Sequence, residues 1–121
     1  MDHNDVRLRG KLSGKPEHRP MPSGDTQTSW RLVIRRAQPR PGATVDTIRC
    51  VTYQPEITAF VDGLGSGDRM EVEGELRCRV YGPSYAKIWR YEVEVASAVA
   101  AEPPQDVLAF SPVVVEEVSV A

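Results

Sequence analysis

Apolar and polar residues alternate along several stretches of the chain, which is the period of an extended strand whose successive side chains point to opposite faces. The clearest stretch runs from Glu75 to Tyr81. Its apolar face is predicted to contribute to the core, and its other face carries two arginines followed by a tyrosine. The inward residues are Leu76, Cys78 and Val80, and the outward residues are Arg77, Arg79 and Tyr81.

The same pattern, punctuated by glycine and proline, predicts five strands and one short helix. Pro55 favours the start of the helix, because the first turn leaves the N–H that proline lacks without a partner. Gly74, inside the fourth strand, predicts a bulge or a bend. The predicted strands are residues 5–12, 27–37, 45–53, 69–81 and 87–97; the helix spans residues 56–64, and residues 13–24, 38–43 and 82–86 are predicted as loops.

This order of elements predicts an all-β fold with one short helix between the third and fourth strands. It is the order of the five-stranded Greek-key barrel known as the OB-fold. The chain of 121 residues suits one domain, which we place at residues 1–100. Residues 101–121 form a C-terminal extension whose valine-rich part, from residue 106 onward, is predicted to add a strand that clamps a neighbouring subunit.

Three predicted strands carry basic residues on an outward face, and two of these faces also carry a tyrosine. Cations that follow a phosphate backbone, beside aromatic rings on which bases stack, are what a single-stranded nucleic acid requires. Ordinary solvated strand faces are the alternative for any one strand. The candidate binding residues are Arg7, Arg9, Arg35, Arg49, Tyr53, Arg77, Arg79, Tyr81 and Tyr85.

The charge of the chain is unevenly distributed. The formal net charge is −2, yet all 15 Lys and Arg residues and only 13 of the 17 acids lie in residues 1–100. Binding to a polyanion would therefore rest on a local patch. Cys50 and Cys78 both fall at inward strand positions without metal-ligand spacing, which predicts small buried apolar residues rather than a zinc site.

Residues for chemistry are sparse. No histidine is placed beside a nucleophile and no carboxylates are spaced for a metal, so we predict neither an enzyme nor a cofactor. The polar N-terminus and the lack of a long apolar run predict a cytoplasmic protein without a membrane partner. Trp30 is predicted in the core, whereas Trp89 is expected either in the core or at a subunit contact.

Seven short segments together resemble the bacterial and phage single-stranded DNA-binding protein family. Their order and spacing extend the resemblance over roughly residues 4–99. The segment "VEGELR" and the later "YEV" are similar to patterns typical of the family. The segments are residues 4–12, 16–19, 22–24, 30–34, 46–51, 67–77 and 91–93.

The resemblance implies binding and protection of single-stranded DNA, without sequence preference, during replication, recombination or repair. It implies that Tyr53 and Tyr81 stack on bases and that Arg49, Arg77 and Arg79 face phosphates. It also implies a homo-oligomer, either a tetramer or a dimer, associated with the nucleoid. Two positions that are often aromatic in the family are Gln38 and Thr47 here, so we expect weaker binding per protomer, with Tyr85 compensating in part.

The family's partners include replication and repair proteins, which many members recruit through an acidic C-terminal tip. The last six residues of this sequence are "EEVSVA" instead. One alternative, favoured by the two missing aromatic residues and the net acidity, is an OB-fold accessory factor of replication or recombination that acts through protein contacts and binds DNA weakly. Another alternative is an RNA-binding, cold-shock-like module, because stacking grooves also accept single-stranded RNA.

Overall fold

A computed structural model describes residues 1–102 of the chain. Five strands close into a barrel in the order β1-β2-β3-β5-β4, and one helix lies between β3 and β4. The predicted OB-fold barrel is therefore confirmed. The elements are β1 (Val6–Pro20), β2 (Thr26–Arg40), β3 (Ala43–Thr52), α1 (Pro55–Asp62), β4 (Arg69–Tyr81) and β5 (Ile88–Ala100).

The β1–β4 pairing and the short β3–β5 pairing close the barrel. β1 pairs with both β2 and β4, whereas β3 meets β5 in parallel through only two residue pairs. The register of β4 against β5 changes between Glu73 and Gly74, which confirms the predicted irregularity. A side chain at Gly74 would collide with the carbonyl oxygen of Glu94, so this close approach of two strands requires glycine.

Inward side chains of all five strands fill the barrel, and α1 covers one end. Pro55 occupies the first turn of α1, and Ile57 and Val61, four residues apart, turn the apolar side of the helix inward. The placement of Trp30 in the core is confirmed, as is the burial of Cys50. The other core residues are Leu12, Leu32, Met70, Val72, Val93 and Val95.

The predicted loop at residues 13–24 is wrong in its first part, because β1 continues to Pro20. The second half of β1 pairs again with β2, from Glu17 opposite Ser29 to Pro20 opposite Thr26. Proline is compatible with this because Pro16 lies in the irregular stretch and Pro20 ends the strand. The loop that remains is residues 21–25.

The inward assignment of Leu76, Cys78 and Val80 is also wrong, since all three are exposed. Beyond Gly74, β4 has lost its pairing with β1 and forms with β5 a two-stranded hairpin, which we call the arm (residues 76–91). No third strand or helix of the described residues covers the arm. For the same reason Trp89, 62% exposed, is not a core residue.

The predicted valine-rich strand lies outside the described residues. Within the described part, no helix is long and apolar enough to span a membrane.

Candidate nucleic-acid interface

A buried carboxylate lies at the centre of the barrel face formed by β3, β5 and β4. The side chain of Glu92 is only 1% exposed, although alternation directs it outward. Arg49 donates from Nε to its Oε1 at 3.0 Å, and Arg79 donates from Nε to its Oε2 at 3.1 Å. One carboxylate therefore orients two guanidinium groups, and the trio keeps one net positive charge.

Tyr53 joins this cluster from the end of β3. Its hydroxyl oxygen accepts hydrogen bonds from Nη2 of Arg79 and from Nε2 of Gln27, both at 3.0 Å. The hydrogen bond to Glu92 raises the pKa of the Arg79 guanidinium above its usual value. The structure thus brings together three of the predicted site residues, Arg49, Tyr53 and Arg79, and we call these three with Glu92 the Glu92 cluster.

Arg77, two residues before Arg79 on the same face of β4, has two acidic neighbours. Its guanidinium contacts Glu94 at 3.1 Å and Glu75 at 2.5 Å, and these hydrogen bonds raise its pKa. Glu75 and Glu94 are directly opposed across β4 and β5, so Arg77 neutralises what would otherwise be a repelling pair. In the structure, Arg77 therefore acts as the ion-pair partner of these two glutamates.

Arg7 and Arg9 lie on the other side of β4, along the β1–β4 ladder. Arg9 faces Glu71 and donates to it from Nη2 at 2.7 Å, while Arg7 lies 3.7 Å from Glu73. A surface groove of about 660 Å³ near the bend of β4 contains Arg7 and Arg77 but also four acids. This local charge disfavours a phosphate. The four acids of the groove are Asp5, Glu73, Glu75 and Glu94.

The remaining predicted residues are spread along the outer face and the arm. Tyr81, 41% exposed, lies near the end of the arm, with the Arg90 guanidinium 5.9 Å from its ring centre. Tyr85 is 89% exposed in the loop at the tip. Arg35 is exposed on β2 opposite Val45, and within residues 1–102 it makes no ion pair. The structure does not bring these three into contact with the Glu92 cluster.

Sequence reasoning missed Glu92, Gln27 and Arg31. Glu92 alternates with apolar Tyr91 and Val93, so its pattern is that of a solvated glutamate and does not reveal that the side chain is buried against two arginines. Arg31 is visible only once the register places it directly opposite Arg49. The described residues contain no cluster of three potential metal-ligating side chains.

Comparison with known proteins gives this surface its context. Residues 3–100 match the single-strand binding protein family. The chain belongs to this family. Family membership confirms the prediction that the chain binds single-stranded DNA. It also confirms the prediction of a binding protein rather than an enzyme.

Two solved structures share the fold at low sequence identity. "Plasmodium falciparum SSB complex with ssDNA" has a TM-score of 0.71 and 18% identity, and the similarity covers 84% of this chain and 97% of that one. The small single-stranded DNA-binding protein from Streptomyces coelicolor has a TM-score of 0.64 and 14% identity, with 84% and 96% covered. No curated protein matches the chain.

Proposed function

We propose that the chain binds single-stranded DNA without sequence preference across the outer face of β2, β3, β5 and β4. The Glu92 cluster carries this proposal, because it presents two oriented guanidinium groups beside one tyrosine on a single face. In the proposal Arg35, Arg49 and Arg79 contact phosphates. Tyr53, Tyr81 and Tyr85 provide stacking surfaces, which are indifferent to sequence because every base has a π-face.

Arg49 and Arg79 remain able to bind phosphate although Glu92 holds them. Each uses Nε for the carboxylate, and their side chains are 33% and 49% exposed. A carboxylate held at Nε leaves the terminal nitrogens of Arg49 oriented for the two-point contact that arginine makes with phosphate, whereas in Arg79 Nη2 also donates to Tyr53. Pre-orientation of this kind lowers the entropy lost when a ligand binds.

Arg7, Arg9 and Arg77 take a different role in the proposal. Their acidic partners offset their charge, so we propose that they join strands rather than contact the DNA backbone. The comparison of Arg9→Gln with Arg49→Gln separates the two groups. Loss of a phosphate contact reduces the salt slope of the affinity by about 0.7 for a single strand. We expect that reduction for Arg49→Gln and an unchanged slope for Arg9→Gln.

The deciding experiment is a titration of the full chain with fluorescent dT oligonucleotide at several salt concentrations. The same length of duplex DNA and of rU oligonucleotide serve as controls. We expect tight, salt-sensitive binding to dT and weak binding to duplex. Equal affinity for rU would extend the function to RNA, and equally weak binding to all three would exclude the proposed interface and favour the accessory-factor alternative.

Replication, recombination and repair are the processes we propose, because each exposes single strands, and the site of action we propose is the nucleoid in the cytoplasm. Family membership supports both. Replication and repair proteins are the partners proposed with them. The division into a domain at residues 1–100 and an extension at 101–121 stays a prediction, as does the clamping strand.

We also propose that the chain forms a homo-oligomer through the apolar face of the arm. Isolated two-stranded hairpins are marginally stable, and this one exposes large apolar side chains that gain stability by being covered. Light scattering of the wild type against a Trp89→Ser, Tyr91→Ser variant tests this. We expect a tetramer or dimer to become a monomer, and an unchanged mass would exclude the arm as the contact. The exposed residues of this face are Leu76, Cys78, Val80, Trp89 and Tyr91.

A further inference from the structure

A second polar recess lies on the same outer surface, where β1 is irregular. Ser13 pairs with Arg31 and Glu17 pairs with Ser29, so three residues of β1 oppose the single residue Trp30 of β2. The extra residues carry the β1 backbone away from its neighbour and leave a pocket of about 350 Å³. We call it the β1 pocket. Its lining residues are Ser13–Glu17, Ser29, Trp30, Arg31 and Arg49.

The charge of the β1 pocket is positive. Lys15, Arg31 and Arg49 outnumber the one acid of the lining, Glu17. Arg49 is paired with Glu92, but within residues 1–102 neither Lys15 nor Arg31 makes an ion pair. The pocket therefore keeps an excess of positive charge, with Lys15 and Arg31 outside any ion pair of the described residues.

The relation of Arg31 to Arg49 is unfavourable for the isolated protein. The two residues are directly opposed across β2 and β3, and like charges in opposed positions destabilise a sheet. Trp30 of β2, which lines the pocket, has a buried indole N–H without an acceptor within the described residues. Buried donors without partners are rare in folded proteins. An anionic ligand between the two arginines would relieve their repulsion.

We propose that the β1 pocket binds one phosphate group of the single strand, between Lys15, Arg31 and Arg49. This inference rests on the proposed function and extends it, because Arg49 belongs to both sites and joins the pocket to the Glu92 cluster. The pocket volume is enough for a phosphate with its attached sugar. Serine hydroxyls of Ser13 and Ser29 provide neutral donors beside the cations, as phosphate sites commonly use.

The test uses the indole N–H of Trp30 as a probe, because Trp30 lines the pocket while its side chain packs in the core beneath it. The chain has two tryptophans, so an amide correlation NMR spectrum of labelled protein shows two indole signals, and Trp89→Phe assigns them. Addition of dT oligonucleotide should shift the Trp30 signal. In Arg31→Gln and in Lys15→Gln the affinity for dT should fall about tenfold at low salt. Arg40→Gln, at the far end of β2, is the matched control and should change it less than twofold.

Folding does not confound the result. Removal of one of two opposed arginines should leave the melting temperature of Arg31→Gln unchanged or higher. If dT binds while the Trp30 signal stays fixed and Arg31→Gln binds normally, the pocket proposal fails and single-strand binding stands. If dT does not bind at all, the proposed function fails, and the proposal that the β1 pocket binds a phosphate of the strand fails with it. A shift of the Trp30 signal by inorganic phosphate but not by dT would likewise overturn the proposal, in favour of a free-anion site.

Discussion

Arg49 and Glu92 contact each other at the junction of β3 and β5, where the arginine Nε donates to the carboxylate Oε1 at 3.0 Å. This contact lies where β3 and β5 share only two residue pairs. A nearly buried carboxylate is costly unless charged donors surround it, and Arg79 provides the second donor. The pair therefore serves the barrel and the interface together, since it connects two strands and fixes one of the cations proposed to meet phosphate.

Glu92→Gln should destabilise the protein by about 2 kcal/mol, because the amide keeps the shape of the side chain but removes the charge that both arginines share. Urea unfolding followed by far-UV circular dichroism measures the change. The control is Glu94→Gln, whose wild-type side chain is 37% exposed and, within residues 1–102, forms an ion pair with Arg77 alone. It should cost less than about 1 kcal/mol, and equal losses in the two variants would show that burial at Glu92 is not decisive.

Gly74→Ala should destabilise the barrel by about 3 kcal/mol or prevent folding, since the new methyl group collides with backbone of β5 rather than with a movable side chain. Gly65→Ala is the matched control, because a methyl group there meets only the Asp68 carboxylate at 3.7 Å. Thermal unfolding of both variants tests the contrast. Wild-type stability in Gly74→Ala would mean that the bend of β4 does not need glycine.

Tyr81→Ala should raise the dissociation constant for dT oligonucleotide about 5- to 150-fold, the effect of losing one stacked base. Tyr81→Phe keeps the ring and should bind within twofold of the wild type. Fluorescence anisotropy at fixed salt measures both. Equal weakening in the two variants would assign the effect to the hydroxyl group, and no weakening in either would remove the arm from the DNA path.

Only one of the two thiols should react quickly in the folded monomer. Burial raises the pKa of Cys50 to about 12, so at pH 8 its thiol stays protonated, and the thiolate is the reactive form. Cys78 is exposed on the arm of the single chain, but it lies on the face proposed to join subunits, so the test uses the Trp89→Ser, Tyr91→Ser variant, in which that face is expected to be free. Titration with an aromatic disulfide reagent should therefore release one equivalent rapidly and a second only in urea. In Cys78→Ser the fast equivalent should vanish, and its persistence would place Cys50 in a reactive position.

The barrel could be predicted because its signals are local. Alternation, the helix-opening proline and the position of Gly74 identify every element, and the bounds of β4 agree with the prediction residue for residue. The second half of β1 could not be predicted from the same signals. Pro16 and Pro20 are typical of a loop, whereas pairing with residues distant in sequence makes this segment a strand.

The site was predicted less completely, because alternation tells which residues share a face but not what lies above that face. Leu76 and Val80 alternate like core residues, yet the arm extends beyond the layer that would cover them. Arg9 and Arg49 are indistinguishable as outward arginines. The register separates them, since Arg9 lies opposite an acid of the adjacent strand and Arg49 lies opposite another arginine.

β4 lies between the first and last strands of the described fold. Val6, at the start of β1, pairs with Gly74, and Ala100, at the end of β5, pairs with Met70. β1 and β5 are both antiparallel to β4, so they run in the same direction. A pulling force on the two ends would therefore drag β1 and β5 in opposite directions along β4. Ladder hydrogen bonds stand perpendicular to that motion, so they resist it together in shear instead of opening one after another.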